Sequence, residues 1–268
     1  MNNINSGIAG TGSLLQQIQE KQTSLAEKLA SGKRINSAAD GAAAQQIIDR
    51  LTSQVEGNRQ AISNAYDGIS LAQVAEGGLS GINDDVSRIR ELTIQAGNGI
   101  LSDADRQAIQ SEITQLQDNI SQTIERTEFA GKPLLSQDGL LSFQVGANAN
   151  QSLDVTTTDI GSQLSDILSI DLTSGTSVDD ALAAADAAIE TVGGARSDLG
   201  AVQSQFESTA RNLSQADVNT AAARSRIQDT DYAQAVSQQA SNDILNQATI
   251  SVQAQANQQQ GQVLSLLS

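Results

Sequence analysis

Ile4, Ile8, Thr11, Leu15, Ile18, Gln22, Leu25 and Leu29 follow one another in alternating steps of four and three, the seam of a coiled-coil-like helix. Thr11 and Gln22 put polar groups into that seam, and Gly7, Gly10 and Gly12 weaken its first turns as an isolated helix. Order at this end therefore depends on partners. Gly32 offers a helix stop, and Ser31 to Gly41 reads as a bent connection.

A second seam runs through Ile48, Leu51, Val55, Asn58, Ile62, Ala65, Ile69, Ala72, Ala75, Leu79, Ile82, Val86 and Ile89, with a shortened step from Ala72 to Ala75. Unbroken from Ala43 to Ala96, this helix is roughly 80 Å long. Gly97, Asn98 and Gly99 end it, Ser102 caps the next helix, and Ile109, Ile113, Leu116, Ile120 and Ile124 mark the apolar face of that one. From Phe129 to Ser177 the pattern shifts to short alternating pieces, Phe143-Gln144-Val145 and Leu153-Asp154-Val155, set among Gly131, Pro133, Gly139 and Gly146; these predict hairpins. The heptad returns through Val178, Leu182, Ala185, Ile189, Val192, Arg196, Leu199, Gln203, Phe206, Ala210 and Leu213. After a break within Ala221 to Thr230, a Gln-rich helix carries Val236, Ala240, Ile244, Leu245, Ala248 and Val252 and ends in Val263-Leu264-Ser265-Leu266-Leu267. The predicted fold is mainly α: a long antiparallel coiled-coil-like rod with a small β-hairpin region, plus paired N- and C-terminal helices. From periodicity alone, a self-contained helical bundle and an assembling subunit both remain open.

Composition narrows the chemistry. Three Phe, two Tyr and no Trp leave Ala, Leu, Ile and Val to form narrow helix seams rather than a thick core. Without Cys or His there is no thiolate, no imidazole ligand and no Ser-His or Cys-His catalysis. We expect no enzyme, no cofactor and no metal site. A formal charge of −16 opposes binding to nucleic acid, and it suits a chain that must stay monomeric before it assembles. The first residues lack a cleavable signal pattern, and no apolar run is long enough to span a membrane.

Several blocks resemble bacterial flagellins. They are Glu27-Lys28-Leu29-Ala30-Ser31-Gly32-Lys33-Arg34-Ile35-Asn36-Ser37-Ala38-Ala39-Asp40, Asn64-Ala65-Tyr66-Asp67-Gly68-Ile69-Ser70, and Arg88-Ile89-Arg90-Glu91-Leu92. In the second half they are Arg196-Ser197-Asp198-Leu199-Gly200-Ala201, Ala223-Arg224-Ser225-Arg226-Ile227-Gln228-Asp229, and the tail from Gln253 to Leu267. The resemblance implies an inner domain from residues 1–40 and 230–268, a rod domain from 41–229 with hairpins near 129–177, and no outer domains, because the span from Gly146 to Val178 is too short for another core.

It further implies a subunit that polymerises into the flagellar filament for swimming, located outside the cell after export through the flagellar type III channel. A hook-filament junction protein is the alternative. Implied partners are further copies of the chain, an export chaperone, a filament cap protein and hook-associated proteins. Polymerisation is expected to use Ile4, Ile8, Leu15, Ile18, Leu25, Leu29, Ile244, Leu245, Val252, Val263, Leu264, Leu266 and Leu267. The family pattern also implies recognition by a flagellin-sensing Toll-like receptor of a host at Arg88, Leu92 and Glu112. Three weaker signals have plain readings: Asp84, Asp85, Asp103 and Asp105 as solvated helix-end charges, Arg88 and Arg90 as surface ion pairs, and Thr156 to Ser177 as a solvated loop rather than a glycan carrier.

Overall fold

A computed structural model describes the backbone of residues 2–174 and 176–267, and the side chains of 13–174, 176–259 and 262. The element order is α1 (Asn2–Ser31), α2 (Ala38–Ala96), α3 (Asp103–Arg126), β1 (Glu128–Phe129), β2 (Lys132–Pro133), β3 (Gly139–Gln144), β4 (Ser152–Thr157), α4 (Ile160–Gln163), α5 (Ser165–Leu168), α6 (Val178–Gln228) and α7 (Tyr232–Leu267). Two compact units result: residues 1–53 with 219–268, and residues 54–218. The division falls within α2 and α6.

Unit 1 contains α1 packed on α7 and the connections at their inner ends. Helix α1 stops where Gly32 adopts φ +69°, a left-handed conformation that costs glycine little. At Gly41 the backbone leaves helical geometry, and the regular part of α2 begins beyond it. Asp40 fixes this entry: its carboxylate accepts from the backbone N–H of Asn36 (3.1 Å) and Ser37 (2.9 Å) and from Ser37 Oγ (3.1 Å). These bonds, the backbone one from Asn36 first, hold its pKa below the ordinary carboxylate value.

Unit 2 buries the seam expected of α2: Val55, Ala65, Ala72, Ala75, Leu79, Ile82, Val86 and Ile89 are all buried. The shortened step at Ala72 to Ala75 does not interrupt the helix, which is regular from beyond Gly41 to Ala96. Ser102 and Asp105 form a reciprocal capping box at the start of α3, which turns Ile109, Ile113, Ile120 and Ile124 into the same core. Gln117, also buried, donates from Nε2 to the Ile167 and Ile170 carbonyls (2.9 and 3.1 Å) and so pins the α5 segment to α3.

The hairpin β3–β4 is antiparallel with Phe143 opposite Leu153, and β1–β2 forms a second small pair. The short helices α4 and α5 lie in the stretch expected to be hairpin and loop, and they bury Ile160 and Ile167. Helix α6 continues to Gln228, through part of the expected break. On α6, Phe206 is fully buried and meets Phe143 edge-on with ring centroids 5.4 Å apart.

Candidate assembly surface

The seam between α1 and α7 is polar at its centre. Gln22 donates to Asp243 Oδ1 (2.7 Å) and accepts from Asn246 Nδ2 (3.1 Å), so one amide clamps the two helices. Among described side chains of α1, Ile18 is buried, and Leu15, Leu25 and Leu29 are half-buried. Among described side chains of α7 beyond its first turn, those buried or half-buried are Asn242, Asn246, Thr249, Gln253 and Ala256, again in steps of four and three.

Among the described side chains, the large apolar residues of α7 lie elsewhere on its circumference. Val236 is 46% exposed, Ile244 67%, Leu245 53%, Ile250 53% and Val252 55%. A soluble helix ordinarily turns its apolar stripe inward; α7 turns a polar stripe inward and its apolar groups outward. Full burial of one such side chain contributes about 1.5–3 kcal/mol relative to leaving it exposed.

Of the residues expected to serve polymerisation, Ile244, Leu245 and Val252 thus sit on an open surface, whereas Leu15, Ile18, Leu25 and Leu29 are covered to differing degrees within unit 1. Ile4, Ile8, Val263, Leu264, Leu266 and Leu267 lie outside the described side chains. Leu14, 48% exposed, and Ile250 belong to the same class of open apolar side chains and escaped the sequence reading. An isolated Ile in a Gln-rich helix was the available signal.

The inner ends of α1 and α7 are joined by backbone. Arg34 N–H donates to the Gln228 carbonyl (2.6 Å), Thr230 N–H to the Gly32 carbonyl (3.0 Å), and the Arg34 guanidinium to the Ile227 carbonyl (2.7 Å). Two blocks almost two hundred positions apart, Glu27 to Asp40 and Ala223 to Asp229, therefore meet as one tie.

The block from Asn64 to Ser70 receives a comparable explanation in unit 2. Asn64 Nδ2 donates to the Gln144 carbonyl at the end of β3 (2.8 Å). A Cβ at Gly68 would collide with the Phe206 ring, so only glycine lets α6 approach α2 at this level.

Arg88 and Glu112 pair across α2 and α3 (2.8 Å), and Arg88 also pairs with Glu91 (2.6 Å). Leu92 is 1% exposed and belongs to the core between those helices, so it offers no surface to a partner. The expected role for it as an exposed anchor gives way to packing: α2 keeps its core side through Ile89, Leu92 and Ala96. Arg90 pairs with Asp186 (2.6 Å). Of the acidic residues, Asp85 accepts from Asn119 (2.7 Å) and is pushed up mainly by burial, while Asp105 is held down by its capping bonds to Ser102. Among the described residues, no group of three or more acids is placed to hold a metal ion, and no helix is long and apolar enough to cross a membrane.

This build defines a structural helical subunit, with a well-packed bundle from the middle of the chain and a thin, outward-apolar helix pair drawn from both chain ends. The bacterial flagellin N-terminal helical region matches residues 3–139, and the C-terminal helical region matches 182–267. A flagellin of Bacillus subtilis (strain 168) is 40% identical over 90% of this chain and 91% of its own length. A flagellar filament 30.7 kDa core protein of Treponema maltophilum is 37% identical over 90% of both chains. A solved structure of a Vibrio parahaemolyticus protein named as flagellar hook-associated has a TM-score of 0.60 at 16% identity, covering 71% of this chain and 100% of that one; it attests the fold alone. The chain belongs to the bacterial flagellin family.

Proposed function

We infer that this chain is the structural subunit of a bacterial flagellar filament and that it polymerises through unit 1. The observation that carries this reading is the reversed polarity of α7, with polar groups on α1 and Ile244, Leu245, Ile250 and Val252 outward. Neighbouring copies bury those residues. A junction protein shares the fold, but likeness to flagellins and to a filament core protein over nine-tenths of the chain favours the filament subunit. Seeding filament fragments with Leu245→Gln/Val252→Gln protein tests it. Loss of growth at unchanged monomer helicity is expected, and growth equal to wild type would sink the mechanism.

The subunit works by packing, without catalysis. It leaves the cell unfolded through the flagellar type III channel, with a chaperone covering the C-terminal helix, a cap protein directing insertion and hook-associated proteins at the base. The exposed apolar residues of α7 are what a chaperone would shield. Recognition by a flagellin-sensing Toll-like receptor rests on Arg88 and Glu112, both about half-exposed, with Arg88 held by its pairs to Glu112 and Glu91 and Leu92 confined to the core. Arg88→Ala is expected to weaken receptor binding by monomer, and unchanged affinity would remove that part of the reading.

A further inference from the structure

Helix α2 carries Gly77 and Gly81, and α6 carries Gly193 and Gly194, all inside long helices. Glycine is a poor helix former and is usually kept inside a helix for a close approach or a positive φ. Neither applies here. A Cβ at any of the four would meet nothing within 4 Å, and none of the four has positive φ.

The antiparallel register of α2 and α6 within unit 2 is marked by the pairs Arg59–Asp217, Glu76–Arg196 and Arg90–Asp186. That register sets Gly81 across from Gly193 and Gly194, with Gly77 one turn away. The four glycines therefore share one level of the bundle.

A second observation falls at the same level. Helix α3 runs antiparallel to α2, as the pairs Arg88–Glu112 and Asp85–Asn119 show, and it ends at Arg126. Its C-cap Thr127 lies against Gly78, where a Cβ would press on Thr127 Oγ1. The third helix of the bundle thus stops where the other two are weakest.

We propose that this level is a flexure built into unit 2, at which the bundle bends while the three-helix part on one side and the hairpin-bearing part on the other stay rigid. The bend is carried by the backbone at the four glycines, which have no side chain to brace the open side, while Leu79, Ile82 and Val192 keep the core closed at this level. In its consequence for the polymer, that filaments of this chain curve through this level, the proposal rests on the filament reading above.

Amide exchange on the full-length monomer tests the flexure by itself. Amides of residues 77–82 and 192–197 are expected to exchange about tenfold faster than those of residues 86–92 and 181–188. The Gly77→Ala/Gly81→Ala/Gly193→Ala/Gly194→Ala protein, in which every methyl has room, should lose that difference. A Ser204→Ala/Ser208→Ala control, which strengthens α6 elsewhere, should keep it. Uniform exchange along wild-type α2 and α6, or a difference untouched by the four alanines, would overturn the flexure. Seeded filaments of the four-alanine protein should be straighter by electron microscopy than wild type, and equal curvature would overturn its role in the polymer. Failure of both proteins to grow would instead count against the filament reading, with the exchange result still deciding the flexure.

Discussion

Unit 1 holds seven Lys and Arg against seven Asp and Glu, and unit 2 holds eight against twenty-four, so the whole formal charge of −16 falls on unit 2. Burial divides in the opposite way. Among the described residues, the buried hydrophobics of unit 1 are Ile18, Ile35, Ile48 and Ala235, whereas unit 2 has a continuous core from Ala65 to Ala210. One region has the continuous core and carries the net charge; the other is neutral, thinly packed and outwardly apolar. Net charge and exposed apolar surface, which conflict when spread over one surface, fall in different parts of the chain.

The sharpest way to break this contrast is to truncate one large side chain in each region. Phe206→Ala should lower unfolding stability by about 3–5 kcal/mol in denaturant titration, because it empties a fully buried site. Leu245→Ala should cost the monomer less than about 0.5 kcal/mol in the same titration. Equal costs would mean that the two regions do not differ as described.

Gln22→Ala probes unit 1 more finely. It removes two side-chain bonds between α1 and α7, and local opening of α7 should become easier by about 1–2 kcal/mol in amide exchange. Exchange in the core of unit 2 should stay as it was, and a uniform change would contradict the division into units.

Salt should sharpen the comparison with a smaller effect. Raising ionic strength from about 0.01 to 0.15 M shortens the screening length from about 30 to 8 Å, which weakens repulsion between copies of unit 2. Seeded growth is expected to quicken severalfold with little change in monomer stability. Growth that slows with salt would indicate that attraction between charged groups drives joining.

Acid has the mildest effect. Asp171 accepts from the Thr173 and Ser174 backbone N–H groups and from Thr173 Oγ1, and hydrogen bonding to Ser174 and Thr173 lowers its pKa from 3.8 to about 2. A lowered carboxylate pKa adds stability that is present above the ordinary value and is lost as pH falls through about 2. Asp85 has the opposite sign: its pKa is raised, so its contribution is present at low pH and is lost as pH rises through the raised value. Asp171→Asn should flatten the loss of thermal stability seen on acidification toward about pH 2. A profile superimposable on wild type would show that this turn contributes nothing.

The seams of α2, α3 and α6 were legible because burial there follows one period and leaves a stripe in the sequence, as at Ile82, Val86 and Ile89. Continuing the same steps would have placed Leu92 inside; the family pattern argued for a contact residue where the period argued for a core one. Gly68 carried no sign of its purpose, since its reason is Phe206, far along the chain and brought near only by the fold. The helices α4 and α5 are four residues each, too short for any period to show. For α7 the apolar positions were read correctly, but their outward direction was not legible, because a sequence stripe does not reveal which side has a partner.

The tie at Arg34, Gln228 and Thr230 has a further consequence. On the assembly proposed above, the joining part of the molecule exists only when α1 meets α7, two segments far apart in the chain. A chain interrupted anywhere before Tyr232 has α1 without α7, and on that assembly it lacks the surface through which copies would join. Admission to the polymer would then be conditional on both segments being present in one molecule: a chain that has lost either is turned away by its own geometry.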